Sequence, residues 1–107
     1  MPKFLIKANY TMAGMKGLHK DKATGREKAV AAACKAVGGK LDALYYALGD
    51  DDIFVIVDLP GHVEAAAMCV AVSASGAVIG TRTVPLLTVA EMDKALEAEP
   101  KYRPPGG

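Results

Sequence analysis

The sequence predicts an α+β fold of order β, α, β, β, α, β with a further C-terminal helix. In this ferredoxin-like arrangement a four-stranded antiparallel sheet carries two helices on one face. Three observations point there. Ile53-Phe54-Val55-Ile56-Val57 is a strong strand signal, and Gly49-Asp50-Asp51-Asp52 joins it to a second strand-like run tightly enough for a hairpin. Two other segments repeat apolar residues at helical spacing. A chain of 107 residues, 51% of them hydrophobic, is long enough for one packed domain, expected over residues 1–99. Residues 100–107, rich in Pro and Gly, are expected to form a flexible tail.

The first strand is expected over residues 3–9, where Phe4, Ile6 and Ala8 alternate with Leu5, Lys7 and Asn9. The polar, glycine-bearing stretch from Tyr10 to Ala23 reads as a long loop. Thr24-Gly25-Arg26-Glu27 then has the spacing of a capping box. Val30, Ala33, Cys34 and Val37 make the apolar stripe of the first helix, and Gly38-Gly39 stops it. The second strand spans Leu41 to Leu48, with Leu41, Ala43, Tyr45 and Ala47 on one face and Asp42, Leu44, Tyr46 and Leu48 on the other. Pro60-Gly61 leads from the third strand into a helix over about His62 to Ala74. Val63, Ala66, Ala67, Val70 and Ala74 share one of its faces, and Met68, Cys69 and Val72 extend its apolar character. A helix apolar on most sides is expected to be buried on most sides. Ala77 to Leu87 forms the fourth strand, and Thr88-Val89-Ala90-Glu91 is a second capping box that opens a terminal helix through Met92 and Leu96.

Charge is uneven along a chain of net charge +1. Residues 16–40 carry Lys16, Lys20, Lys22, Arg26, Lys28, Lys35 and Lys40 against Asp21 and Glu27. Residues 41–64 carry Asp42, Asp50, Asp51, Asp52, Asp58 and Glu64 with no Lys or Arg. The two segments are expected to be solvated or to pair with each other, within or between subunits. No aromatic or glycine pattern of a DNA- or RNA-binding module accompanies the basic one, so no nucleic acid is expected. The apolar stretch from Ala65 to Ile79 is interrupted by Ser73, Ser75 and Gly76 and falls short of a bilayer span, so no membrane partner is expected. With no secretory signal pattern, the expected compartment is the cytoplasm. Cys34 and Cys69 lie among Ala and Val and read as free, buried thiols.

Few residues offer chemistry. Asp50, Asp51 and Asp52 lack the spaced ligands of a calcium loop and read as a solvated turn. His19 and His62 have no nearby paired Cys or carboxylate motif, so neither a metal nor a cofactor is expected. Gly39-Lys40 fails as a phosphate loop, with Cys34 in place of the first glycine and Leu41 in place of the hydroxyl residue. Asp58, at the end of an apolar strand, stands out as a carboxylate whose partial burial would raise its pKa. Tyr45 and Tyr46 point to opposite faces. A small-molecule pocket is therefore expected where the end of the third strand meets the loop after the first, formed by Asn9, Tyr10, Lys16, His19, Asp58 and one of Tyr45 and Tyr46.

An ordered series of short motifs resembles the GYD domain family, small bacterial proteins whose assigned fold is a dimeric α+β barrel. It comprises Asn9-Tyr10-Thr11 with Gly14, Gly38-Gly39-Lys40, Tyr45-Tyr46-Ala47-Leu48-Gly49 leading to Asp52, and Ile56-Val57-Asp58-Leu59-Pro60 before an alanine-rich helix, within about residues 3–97. The resemblance implies the fold and self-association but no reaction. Apolar residues on both faces of the second and third strands point independently to a homodimer or larger, in which a second copy covers the sheet. Two function classes follow: an oligomeric binding or accessory protein for a small, partly apolar molecule, preferred here, and a cofactor-free oxygenase or isomerase of the kind seen in related barrels, acting on an aromatic or polyketide-like substrate. In the second, Asp58, His19 and a tyrosine would serve as acid and base.

Overall fold

Alternation along the central strands decides the layering. In the computed structural model, which describes residues 1–107, β1 (Lys3–Tyr10) buries Phe4, Ile6 and Ala8 and turns Lys3, Leu5 and Lys7 to the other face. β3 (Ile53–Asp58) does the same with Ile53, Val55 and Val57 against Phe54, Ile56 and Asp58. The two pair antiparallel with Phe4 opposite Val57 and Ile6 opposite Val55, so the two buried sets stack on one side. β2 (Lys40–Tyr46) flanks β3, and β4 (Val78–Leu86) flanks β1, giving the order β2-β3-β1-β4. This is the split βαβ topology that the order of elements predicts.

Helices α1 (Met12–Ala36) and α2 (His62–Ala74) cover the face that carries Phe4 and Val57, contributing Cys34 from α1 and Ala65 and Met68 from α2 to a single core. The other face has no cover within the chain. It presents Leu5, Phe54 and Ile56 with the outward-facing Tyr45, Ile79 and Val84. Helix α3 (Val89–Ala98) buries none of its residues, and Val89, Met92 and Leu96 are exposed. Its predicted capping box forms: Glu91 N–H donates to Thr88 Oγ1 at 3.1 Å and Thr88 N–H to Glu91 Oε1 at 2.8 Å.

Four local expectations are corrected. Most of the stretch read as a loop after the first strand is helical. Its N-cap is Thr11, whose hydroxyl accepts from Gly14 N–H at 3.1 Å, and not Thr24. Thr11 also donates to the Gly76 carbonyl at 2.7 Å, tying the start of α1 to the connection before β4. Gly14 is buried there because a Cβ at that position would collide with the Ala77 carbonyl. A break at Lys22, with φ 66° and ψ 166°, separates this first part from the apolar-striped second part, so the predicted start near Thr24 marks a kink. The Gly38-Gly39 stop is as expected: Gly38 N–H donates to Lys35 O and Gly39 N–H to Cys34 O, a Schellman end with Gly38 at φ 82°.

Strict alternation fails in β2. Leu41 pairs with Val57 but Ala43 pairs with Ile56, so Asp42 is an extra residue that reverses the parity. Leu41 therefore sides with Leu44 and Tyr46 toward the helices, and Ala43 and Tyr45 occupy the open face. Helix α2 is not buried on most sides. The stripe of Val63, Ala66, Ala67, Val70 and Ala74 points outward, with Val63 77% and Val70 67% exposed, because Ala65 and Met68 are the residues that meet the sheet. Only Cys34 is a fully buried thiol. Cys69 is partly exposed, and the two are unpaired.

Candidate functional site

Between the covered face of the sheet and the facing sides of α1 and α2 lies a cleft of about 260 Å³. Its floor is Ile6, Ala8, Ile53 and Val55 from the central strands. Val30 and Ala33 of α1 and Met68, Ala71 and Val72 of α2 form its walls. Twelve of the 14 lining residues are hydrophobic, leaving Arg26 and Ser75 as the polar exceptions beside the Tyr10 phenol. The cleft exists because the residues on the inner walls are small: alanines at 33 and 71 leave space that larger side chains would fill.

The polar groups differ in availability. Ser75 is already engaged, its hydroxyl donating to Val72 O at 2.6 Å and accepting from Ala77 N–H at 3.2 Å. Tyr10 stacks on Tyr46 with ring centroids 6.4 Å apart and planes 19° from parallel. Burial, with the Tyr46 hydroxyl beside it, pushes the Tyr10 phenol well above its ordinary value, and the nearby Arg26 guanidinium opposes that rise. At neutral pH Tyr10 is therefore a hydrogen-bond donor and not a base. Its backbone is fixed by Asp52, whose Oδ2 accepts from Tyr10 N–H at 2.8 Å, while Asp52 N–H donates to Ala8 O at 3.1 Å. Arg26 has one acidic neighbour, Asp21, at 3.7 Å with both side chains partly exposed.

The residues singled out from sequence are not gathered in one place. Of them, Tyr10 lines the cleft and Tyr46 stacks on it. Asp58 lies elsewhere, because β1 and β3 are antiparallel and the end of β3 therefore meets the beginning of β1. Asp58 pairs with Lys3, seven residues and about 23 Å of strand from Tyr10, and it faces the open side. There its carboxylate accepts from Lys3 Nζ at 2.8 Å, and Asp42 accepts from the same ammonium at 3.2 Å. These two bonds, that to Asp58 being the larger influence, raise the Lys3 pKa. Asn9 also faces the open side, opposite Ile79, and Tyr45 is 66% exposed there. Lys16 and His19 are exposed on α1. No ion pair joins the basic segment to the acidic one: Asp42 and Asp58 are paired with Lys3, and Arg26 with Asp21 of its own segment.

Arg26 escaped the sequence reading, though it carried a signal. It stands four residues before Val30 and seven before Ala33, a cation on the apolar stripe of its own helix. Asp51 in the β2–β3 turn is buried with its Oδ1 unpartnered, against the expectation of a solvated turn. No group of three or more His, Cys, Asp or Glu side chains converges anywhere in the chain. No helix is long and apolar enough to cross a membrane.

Residues 4–96 match the family model of the GYD domain. No curated protein and no solved structure matches the chain.

Proposed function

The chain belongs to the GYD domain family, and from that premise we propose that it is a self-associating protein that holds a small, largely apolar molecule between its sheet and its helices. The cleft over Ile6, Ala8, Ile53 and Val55 is the observation that carries this reading. An unfilled apolar space beside a few oriented polar groups is the usual composition of a small-molecule site. At about 260 Å³ it lies just below the roughly 300–1,000 Å³ of pockets for drug-sized ligands, so its occupant is small.

Self-association rests on the opposite face. Leu5, Phe54, Ile56 and Val84 form an apolar band, with Lys3, Asp58 and Lys40 at one end of it and Lys7 and Arg82 at the other. An apolar centre with a charged margin is the anatomy of a protein interface, and a second copy is its simplest cover. The cofactor-free enzyme reading loses its acid–base set, since Asp58 is held by Lys3 and His19 stands apart on α1. Native mass spectrometry of the purified protein tests both parts: a dimer or larger carrying a small non-covalent adduct is expected. A bare monomer at micromolar concentration would refute the proposal.

A further inference from the structure

We propose that the occupant of the cleft is a small amphipathic carboxylate, its anionic head against Arg26 and the Tyr10 hydroxyl and its apolar body over Ile6, Val30 and Val72. This rests on the binding-protein reading above and specifies its ligand. Among the lining residues Arg26 alone is charged, and no carboxylate faces it from across the cleft. A guest that fills the apolar cleft displaces water from beside the guanidinium, so an opposite charge held there is attracted more strongly than in the open, solvated state. A neutral apolar guest would bury part of that cation without a partner, and a cationic guest would be repelled.

The existing partner of Arg26 does not satisfy it. Asp21 is 3.7 Å away, a long contact, and the two side chains are 35% and 49% exposed. Pairs of that kind contribute little and exchange readily with solvent. The planar fork of arginine matches a carboxylate in a two-bond geometry that a lone lysine cannot provide. Tyr10 adds a second donor. Its phenol lines the same cleft, its ring is fixed by the Tyr46 stack, and it keeps its proton at neutral pH. Ser75, whose hydroxyl is already engaged, adds no further donor, so polar recognition is left to Arg26 and Tyr10 at one end. A one-ended anion site on a small apolar cleft selects a short-chain or singly aromatic carboxylate over a dianion or a sugar.

Calorimetric titration with hexanoate and with 1-hexanol, its neutral counterpart of equal chain length, tests this on the full chain. Hexanoate is expected to bind at least tenfold more tightly than hexanol. Arg26→Gln should abolish that preference while leaving hexanol affinity within about twofold. Val72→Trp, which fills the cleft, should remove binding of both. Hexanol binding as well as or better than hexanoate in the native protein would overturn the carboxylate assignment and leave the apolar site standing. If neither binds at millimolar concentration, or if both still bind to Val72→Trp, the cleft is not the site and both readings fall. An Arg26→Gln variant that melts as the native protein does and retains the full preference would overturn the role of Arg26.

Discussion

The two faces of the sheet are built from the same strands, yet they differ in residue type as well as in state: the central strands turn only apolar side chains to the helices, while the open side interleaves Leu5, Phe54, Ile56 and Val84 with Lys3, Lys7, Asp58 and Arg82. On the helix side Phe4 and Val57 are 1% and 0% exposed. On the open side their immediate neighbours, Leu5 and Ile56, remain half-buried, with Tyr45 and Ile79 largely exposed around them. Composition marks the difference, with the charges of the central strands confined to the open side, and connection enforces it. Each crossover helix follows a strand and returns over the same side, so both helices serve one face and leave the other uncovered within the chain. The covered face is also incompletely filled, because the alanines on α1 and α2 leave the cleft between them. One face thus offers space for a small molecule, and the other offers area for a large one.

The largest effect that sharpens this contrast is expected from neighbours on β1. Phe4→Ala should lower folding stability by about 3–5 kcal/mol, the cost of an emptied aromatic site in a core. Leu5→Ala should cost the isolated subunit less than about 1 kcal/mol, because its side chain remains half-wet before any partner arrives. Chemical denaturation of the two variants at low concentration gives both values. Equal losses would mean that the open face is covered within the chain.

The second effect is on assembly. Ile56→Lys places a charge at the centre of the open face, and an unpaired charge buried in an interface costs about 3–5 kcal/mol. Light scattering should show the mass falling to that of one chain while the far-UV signal is retained. An unchanged mass would move the interface elsewhere, for instance to the exposed Val63 and Val70 of α2.

The central strands were legible because Phe4, Ile6 and Ala8, and likewise Ile53, Val55 and Val57, keep a strict period of two. The Schellman stop at Gly38 and the Thr88 cap were legible because each is a local exchange of hydrogen bonds. What escaped was set by contacts distant in sequence. Gly14 and Gly17 made Met12 onward look like loop, yet Gly14 is there because the Ala77 backbone approaches it. The extra residue at Asp42 leaves no mark on the sequence, and it reversed the face of Leu41. Helix α2 reads as buried on most sides because both of its sides are apolar, yet only Ala65 and Met68 are buried. Of the site, the two aromatics Tyr10 and Tyr46 were found. Placing Asp58 beside them required a parallel neighbour where the sheet has an antiparallel one.

Smaller effects probe the edges of the comparison. Lys22 sits at φ 66° and ψ 166°, a region nearly reserved for glycine. Lys22→Gly should therefore raise stability by about 1 kcal/mol if the kink in α1 is fixed by packing over the sheet. A loss of stability would mean that the segment straightens or shifts when freed.

Helix α3 gives the smallest effect. The Thr88 backbone N–H holds the Glu91 carboxyl below its ordinary value of 4.5. A carboxyl depressed in the folded state stabilises at pH above its unfolded value and loses that contribution as pH falls through the folded one. Helicity of Val89–Ala98 should therefore decline on acidification below about pH 4.5 while the sheet is unaffected. Thr88→Ala, which removes the hydroxyl acceptor, should cost that helix about 1 kcal/mol at neutral pH. Backbone amide spectra recorded against pH would distinguish this local fraying from global loss.

Isoleucine methyl spectra test the division of labour between the faces most directly, since the four isoleucines fall two to a side: Ile6 and Ile53 toward the helices, Ile56 and Ile79 toward the open face. Adding hexanoate at constant protein concentration should shift Ile6 and Ile53 and leave Ile56 and Ile79 in place. Introducing Tyr45→Lys, on the open face, should do the reverse as the assembly dissociates. Hexanoate shifts centred on Ile56 and Ile79, with Ile6 and Ile53 unmoved, would contradict the account.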